Sequence, residues 1–255
     1  MTDRFAPAPR PSYRLIPSRF PPIAVFDTVA AAANLEAVME LAGWTNDRLA
    51  KDRVARLDQS EWVFGQPNSS IVRASFLHVA PGGMRFNSSD LGAWYAAESV
   101  DTAVAEVAHH LRREASARSV AGETRTYRTY RCELTGSYLD IRGDQTVRAA
   151  LYDPVSYAMS QPFGEAVRVG GGSGIIYDSL RMAGGENVVA YRPREVVDIL
   201  QADHLEISVT MASRTIRVMR HCVSKPESPS FRAGWMSTLL LAGAVIGPDP
   251  ARRSA

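Results

Sequence analysis

The sequence has few of the features that mark membrane, secreted or metal-binding proteins. Its 255 residues include only two cysteines, Cys132 and Cys222, whose number and spacing fit neither a disulfide framework nor a zinc site. No apolar run reaches the roughly 18 residues that a membrane-spanning helix needs. The N-terminal segment also lacks the apolar centre of a signal peptide. We therefore expect a protein of the reducing cytoplasm, without membrane contact.

The chain also lacks an excess of either charge. It has 29 basic and 27 acidic residues, which gives a formal net charge of +2. A nucleic-acid-binding protein would carry a clustered basic excess, so direct binding to nucleic acid is not expected. Hydrophobic residues make up 45% and charged residues 22%, as in ordinary soluble domains. The length suits one sizeable domain with an extension.

Changes in composition divide the chain into four predicted segments. The prolines of residues 1–27 favour an extended, poorly packed arm. Helical spacing of apolar residues predicts a helical extension over residues 28–66. Residues 67–222 are rich in strand patterns and form the predicted main domain. Residues 223–255 form a C-terminal segment whose apolar run, "WMSTLLLAGAVIG", we expect to be buried or docked.

Strand patterns dominate the predicted main domain. The stretch "SSIVRASFLHVA" predicts a first strand and "GAWYAAES" a second, and further strands are predicted in "TRTYRTYRCELTGSYLDIR", "SGIIYDSL", "NVVAYRP", "VVDIL" and "LEISVTMASRTIRVM". Helices are predicted after "YAAES" and in "SYAMSQPFGEAVRVGGG". Because few helices separate the strands, we predict an α+β fold with a mixed or antiparallel sheet and flanking helices.

Glu106 is the first candidate for chemistry. It lies in the predicted helix of "SVDTAVAEVAHHLRRE", almost opposite the apolar stripe and on the same side as His110. One interpretation is a solvated face, with Glu106 and His110 as a pair one turn apart. The other is a carboxylate that faces a cleft. Residue spacing does not decide between them.

Two arginines and a serine are further candidates. Arg73 lies inside the first predicted strand, where it is either exposed or held for an anion, and Arg85 follows "PGGM". Ser179 follows the buried run "GIIYD", where a simple turn at the strand end is also possible. The planar guanidinium fork suits phosphate oxygens. Two arginines near one glutamate could therefore hold a diphosphate while the carboxylate acts on a sugar.

Motifs of other catalytic classes are missing from the sequence. The glycine-rich "VGGGSG" precedes a strand instead of leading from a strand into a helix, so it fits neither phosphate-binding loop. The sequence has no G-x-S-x-G and no H-E-x-x-H motif. His109 and His110 are adjacent and point in different directions, so they do not form a metal pair by themselves. A metal hydrolase is not expected.

Three blocks of the sequence together resemble the RES-domain family, the toxins of RES–Xre toxin–antitoxin pairs. They are "IVRAS", "RFNSSDLGAWYAAESVDTAVAEV" and "GSGIIYDSLRMAGGENVVAY", and their order and spacing agree with the family over a matched region of roughly residues 68–195. The resemblance maps Arg73, Glu106 and Ser179 onto the arginine, glutamate and serine that name the family. It maps Tyr95 onto the tyrosine before the glutamate helix and Arg85 onto a second basic residue.

The resemblance implies an ADP-ribosyltransferase-like fold and NAD+ as the substrate. Glu106 would stabilise the oxocarbenium-like state in which the nicotinamide–ribose bond breaks, by hydrolysis or phosphorolysis. Arg73 and Arg85 would hold the pyrophosphate, and Tyr95 would pack on the nicotinamide or ribose. Ser179 would bind the ribose or orient Glu106. An Xre-type antitoxin is the implied partner, and the terminal extensions could cover the cleft, bind a partner or form a homo-oligomer.

Three functions stay open from the sequence. The first is an NAD+-consuming toxin, and the second is an enzyme that transfers ADP-ribose to a protein. The third is a non-catalytic interaction module, because a fold by itself does not give activity. A degenerate module would be expected to lose at least one of Arg73, Glu106 and Ser179. All three are present, which favours an enzyme.

Overall fold

The structure, a computed structural model, describes residues 4–19, 55–221 and 238–241. Within these residues it has the α+β composition that the sequence predicts, with one large sheet and three α-helices. The helices are α1 (Ser69–Leu77), α2 (Val100–Ala117) and α3 (Ser160–Val169). The strands, β1 to β10, are Phe5–Ala6, Ser12–Pro17, Trp94–Ala97, Gly122–Leu134, Tyr138–Asp140, Gly174–Asp178, Glu186–Ala190, Val196–Thr210, Ile216–His221 and Thr238–Leu241.

The ten strands form one mixed sheet in the order β1-β5-β6-β7-β3-β2-β4-β8-β9-β10. Strands β5 and β6 pair in parallel, and the other neighbours pair antiparallel. The predicted mixed or antiparallel sheet with flanking helices is therefore confirmed. Strands β3 and β7 are hydrogen-bonded neighbours, and β6 follows β7 in the sheet. This pairing brings the ends of β6 and β7 beside helix α2.

Helix α2 lies on the sheet through its apolar stripe. Val104, Ala108 and Leu111 are almost completely buried and pack with Ile207 and Val218 of strands β8 and β9. Branched and aromatic residues of the neighbouring strands complete the same cluster. Burial of one face fixes the rotation of the helix about its axis, so the direction of every other side chain on α2 is set.

The predicted strand around Arg73 is wrong, because residues 69–77 form helix α1. The β-branched residues Ile71 and Val72 favour a strand locally. Val72 also lies four residues before Phe76, near the 3.6-residue period of a helix, and Ile71, Val72, Phe76 and Leu77 are all buried. A short apolar run fits both periods, and packing against the sheet selects the helix.

The N-terminal arm is part of the sheet, which corrects the prediction of a poorly packed segment. Strand β2 lies between β3 and β4 and pairs with β4 over its whole length. Ser12 and Leu15 are buried. The prolines that suggested a loose arm flank this strand or stand at its last residue, where a missing N–H does not interrupt the central pairing.

Other predictions fall mostly outside the described residues. The helical extension over residues 28–66 is described only from residue 55, where a 3-10 turn covers Gln59–Glu61. Of the apolar run near the C-terminus, residues 238–241 form strand β10, which pairs with β9. Within the described residues, no helix combines the length and the apolar character that a membrane crossing requires.

Candidate active site

Helix α2 determines the direction of Glu106. The helix begins after Ser99, whose Oγ accepts a hydrogen bond from the backbone N–H of Thr102 at 3.1 Å, a standard N-terminal cap. The negative charge of Asp101 in the first turn also stabilises this end of the helix, because it faces the positive end of the helix dipole. With the apolar stripe buried on the sheet, Glu106 is directed toward the ends of strands β6 and β7.

The carboxylate of Glu106 accepts two hydrogen bonds at one oxygen. Ser179 Oγ donates to Oε1 at 2.7 Å, and Asn187 Nδ2 donates to the same atom at 2.8 Å. Both donors are buried, with 7% of Ser179 and 4% of Asn187 exposed. The interpretation of this helix face as a solvated surface is therefore wrong. The carboxylate faces polar groups of the sheet.

Ser179 has a fixed orientation at the end of strand β6. Its Oγ accepts hydrogen bonds from the backbone N–H groups of Arg181 and Met182, both at 3.0 Å. Its own N–H donates to the carbonyl of Gly185 at 2.8 Å. The serine thus forms the turn that the sequence allowed, and the same turn aims its hydroxyl at Glu106.

Two cavities meet at Glu106. The larger, of about 340 Å³, is bordered by parts of β2, β3 and α2, and its lining includes Tyr95 and Asn187. The smaller, of about 30 Å³, is bordered by Arg85, Tyr157 and Arg181. Glu106, His110 and Tyr177 line both cavities. A ligand that spans the two cavities would pass the carboxylate.

The smaller cavity places two guanidinium groups near the carboxylate. Nη1 of Arg85 donates to the carbonyls of Leu151 and Asp153 at 3.1 and 2.8 Å, and its Cζ lies 4.9 Å from the centre of the Tyr157 ring. Nη2 of Arg181 donates to the carbonyl of Pro154 at 3.2 Å. One short segment thus orients both arginines. Their charge suits an anionic ligand group.

Helix α3 holds the loop that carries Arg85. Gln161 Nε2 donates to the carbonyl of Met84 at 3.0 Å, and Glu165 Oε1 accepts from the N–H of Ser88 at 2.7 Å. Between them, Gly164 lets the loop approach closely, because a Cβ at this position would lie only 2.1 Å from the carbonyl oxygen of Phe86. Contacts on both sides of Arg85 therefore fix its backbone.

The two histidines after Glu106 are neutral near pH 7. Burial, reinforced by the nearby charge of Arg181, lowers the pKa of His109 to about 3. Burial also lowers the pKa of His110, against the opposing effect of Glu106. His109 Nε2 is buried and has no hydrogen-bond partner among the described residues. Two neutral imidazoles next to the carboxylate leave its negative charge uncompensated from this side.

Tyr95 lies on strand β3 and lines the larger cavity. Its hydroxyl donates to Oδ1 of Asn87 at 2.7 Å and accepts from the N–H of Phe86 at 3.0 Å. Burial raises the pKa of Tyr95 above its usual range, so the phenol stays protonated. The hydroxyl binds the loop just after Arg85, and the ring remains as the part that borders the cavity.

Arg73 lies apart from both cavities. It is on helix α1 with 1% of its surface exposed, its Cζ lies 5.8 Å from the centre of the Trp62 ring, and burial lowers its pKa to about 10. The exposed position that the sequence allowed is therefore wrong. Arg73 is absent from the lining of either cavity beside Glu106. Its role in binding a ligand stays a prediction.

The sequence interpretation missed Asn187 and Tyr157. Asn187 is the polar residue in the otherwise apolar stretch "NVVAY", a signal comparable to that of an arginine in an apolar run. Tyr157 lies in an irregular segment before α3 and had no local signal. The structure thus brings together Glu106, Ser179, Arg85 and Tyr95 with these two residues, and leaves Arg73 outside.

Comparison with known proteins places the chain in a family. The chain is 30% identical over 131 residues to the uncharacterized protein y4oC of Sinorhizobium fredii (strain NBRC 101917 / NGR234). That alignment covers 51% of this chain and 56% of the relative, so the chain spans only about half the length of the curated protein it matches. The sequence model of the RES domain matches residues 53–210. Because this match covers more than half of the chain, the protein belongs to the RES domain family.

Proposed function

We propose that this protein is an enzyme that consumes NAD+ by breaking the bond between nicotinamide and ribose. The observation that carries the proposal is the Glu106 carboxylate, held at Oε1 by Ser179 and Asn187 where two cavities meet. Glu106 is half-buried and forms no ion pair with any of the described residues, so its carboxylate would face the positive charge of the transition state directly. The proposal includes an ADP-ribosyltransferase-like arrangement of the mixed sheet.

The proposed reaction needs a negative charge close to the ribose. When the bond from C1′ to the pyridinium nitrogen breaks, its electron pair goes to nitrogen and neutral nicotinamide leaves. The ribose then develops oxocarbenium character, as in glycoside cleavage. Glu106 would stabilise this positive charge electrostatically, which is commonly a large part of catalysis. The neutral His110 one turn away does not neutralise the carboxylate.

The two cavities suit different parts of NAD+. Alanines and valine on β3 and α2, with the Tyr95 ring, give the larger cavity apolar walls for a flat ring system. Arg85 and Arg181 in the smaller cavity would hold the diphosphate. Two carbonyls hold Nη1 of Arg85 and thereby orient the rest of its fork. Glu106 lies between these regions, where the ribose would be.

Arg85 is the better candidate for the diphosphate contact. It lines a cavity with Glu106, whereas Arg73 lines neither cavity, although Ser75 of the same helix α1 borders the larger one. Arg73 packs near Trp62 and stabilises the position of α1 in this arrangement. The assignment of Arg73 from the family resemblance is kept as a competing prediction, and its test is given below.

The acceptor of the ADP-ribosyl group distinguishes the remaining functions. Water gives hydrolysis and inorganic phosphate gives phosphorolysis, and either would deplete NAD+. Transfer to a protein is the second candidate, and a non-catalytic RES-fold module is the third. The third is least favoured because a half-buried carboxylate that is held by two hydrogen bonds beside two cavities suits catalysis better than a purely structural role.

The family context supports a toxin controlled by a partner. RES domains are associated with toxin–antitoxin pairs, and we propose an Xre-type antitoxin protein that covers the cavities in the cytoplasm. An acidic or carboxylate-ended segment would complement Arg85 and Arg181. A homo-oligomer formed through the terminal segments is a further arrangement to test by light scattering.

The products of NAD+ decide the proposed function. We expect the purified protein to release nicotinamide, and mass spectrometry should detect ADP-ribose, or phosphorylated ADP-ribose only when phosphate is present. A mass increase of an added protein would instead identify transfer. If nicotinamide is released neither with nor without phosphate, nor with a cell lysate as the source of acceptors, the enzyme assignment is wrong.

A further inference from the structure

The two oxygens of the Glu106 carboxylate have different surroundings. Oε1 accepts from Ser179 at 2.7 Å and from Asn187 at 2.8 Å. Oε2 receives no hydrogen bond from any of the described residues. The two donors come from separate strands, because Ser179 follows β6 and Asn187 lies in β7. The sheet therefore fixes one oxygen and leaves the other toward the cavities.

We infer that Asn187 is a positioning residue for catalysis, which fixes Oε1 so that Oε2 is the oxygen that faces the reacting ribose. Asn187 is well suited to hold the carboxylate, since it is 4% exposed and pairs in the sheet with Ala97 and Tyr177 on its two sides. This inference rests on the proposed function, because Oε2 has a reacting ribose to face only if Glu106 acts on NAD+.

The choice of an amide has a chemical reason. A lysine or arginine in this position would neutralise Glu106 by a direct ion pair and weaken its effect on a cationic transition state. The amide N–H of Asn187 holds the same oxygen without adding charge.

The other groups around Glu106 do not replace this contact. His110 faces it from the same helix, Arg181 from the turn after β6, and Tyr177 from β6 itself. None of these three has a hydrogen bond to the carboxylate within the part of the chain that the structure describes. Ser179 alone would leave the carboxylate free to rotate about a single contact. Asn187 supplies the second contact that defines its plane.

Two substitutions of Asn187 test the inference. N187L keeps the size of the side chain but removes the donor, and N187D replaces the donor by a second carboxyl group next to Glu106. N68D is the matched control, because Asn68 Nδ2 also donates a partly buried hydrogen bond, to the carbonyl of Ile199 at 2.9 Å, but outside both cavities. Circular dichroism and thermal unfolding of all variants establish which of them are folded.

The readouts separate a positioning role from a structural one. We expect N187L to lower kcat for NAD+ cleavage about tenfold or more, as for a lost hydrogen bond to a charged group, with KM changed less than about twofold. N187D should move the acid limb of the pH–rate profile to higher pH by about one unit or more, because adjacent carboxyl groups do not both ionise easily. N68D should keep the wild-type kcat and profile.

Several outcomes would overturn the inference. Unchanged kcat and pH profile in folded N187L and N187D would show that Asn187 does not position Glu106. A rise in KM alone would make Asn187 a substrate contact, and unfolding of both variants would make it a structural residue. Failure of the proposed function is distinct, because the wild-type protein itself would then leave NAD+ intact.

Discussion

Ser179 donates a hydrogen bond of 2.7 Å to Glu106 across 73 positions of the sequence. A serine hydroxyl has one proton and two lone pairs. The backbone N–H groups of Arg181 and Met182 both donate to this Oγ, so both lone pairs are occupied and the proton is left for the carboxylate. The turn after β6 thus determines the direction of the bond, and a rotation of the hydroxyl would break three contacts at once.

The charge of Glu106 should be essential for NAD+ turnover. We expect E106Q to lower the rate about 100-fold or more, because the substitution keeps the shape of the side chain and removes the stabilising charge. The matched control is E114Q on the same helix, where the carboxylate pairs with Arg125 at the surface. Release of nicotinamide measures both variants. A rate of E106Q close to the wild type would refute the assignment.

Arg85 and Arg73 should respond differently to replacement by lysine. R85K keeps the positive charge but loses the planar guanidinium fork. We therefore expect KM for NAD+ to rise about tenfold, as for the loss of one hydrogen bond to a charged group. R73K should leave KM within about twofold and lower the unfolding temperature, because Arg73 is buried near Trp62. The reverse pattern would identify Arg73 as the arginine that contacts the substrate.

Gly164 should be required for the loop that carries Arg85. In G164A the new Cβ would lie 2.1 Å from the carbonyl oxygen of Phe86, so the loop must move away from helix α3. We expect a loss of stability of about 1–3 kcal/mol, as for overpacked sites, together with weaker NAD+ binding. G82A is the control, since no atom lies within 4 Å of its added Cβ. Equal stability of the two variants would contradict the close contact.

His109 should make the protein less stable in acid. Its folded-state pKa of about 3 lies below the ordinary value of 6.5, so between these values the unfolded chain binds a proton that the folded protein does not. Stability from this residue is present above pH 6.5 and is lost as the pH falls toward 3. We expect the unfolding temperature of H109Q to fall less steeply from pH 6.5 to 4 than that of the wild type.

The control for this measurement is H221Q, which changes an exposed histidine at the end of β9. It should follow the wild-type dependence on pH. Burial is the main cause of the lowered pKa of His109, with Arg181, His110, Arg113 and Arg112 adding to it. If H109Q and the wild type lose stability in parallel, His109 is already protonated in the folded protein.

Deletion of residues 1–20 should unfold the protein rather than activate it. The deletion removes β2 from between β3 and β4 and exposes the paired edges of both strands. Tyr13, Arg14 and Leu15 also line the larger cavity. This truncation therefore cannot test whether the N-terminal arm blocks the cavities, because the truncated protein is expected to unfold. Removal of residues 1–7 takes away only the edge strand β1 and should cost less stability, as measured by thermal unfolding.

Local patterns determined much of the site before the fold was known. The 3.6-residue period of "VDTAVAEVAHHL" predicted helix α2 and placed Glu106 opposite its apolar stripe, because this pattern depends only on neighbours one or two turns away. The alternating pattern of β4 and the apolar runs of β6 and β7 likewise predicted strands. Ser179 could be placed at a strand end for the same reason.

Other features depend on contacts between distant parts of the chain. Residues 69–77 fit a strand and a helix about equally, and packing on the sheet selected helix α1, whose Arg73 lines neither cavity beside Glu106. The insertion of β2 between β3 and β4 has no local signature, because strand order is not encoded in the period of any one strand.

The sequence by itself determined which residue types this protein has for its chemistry and on which elements most of them lie. Only the tertiary structure decided which of them meet: it joined Glu106 to Ser179 and Asn187 through the neighbouring strands β6 and β7, and it put Arg85 instead of Arg73 beside them. The physical reason is that secondary structure follows local periodicity and propensity, whereas the composition of a site follows from the pairing and packing of segments far apart in the chain.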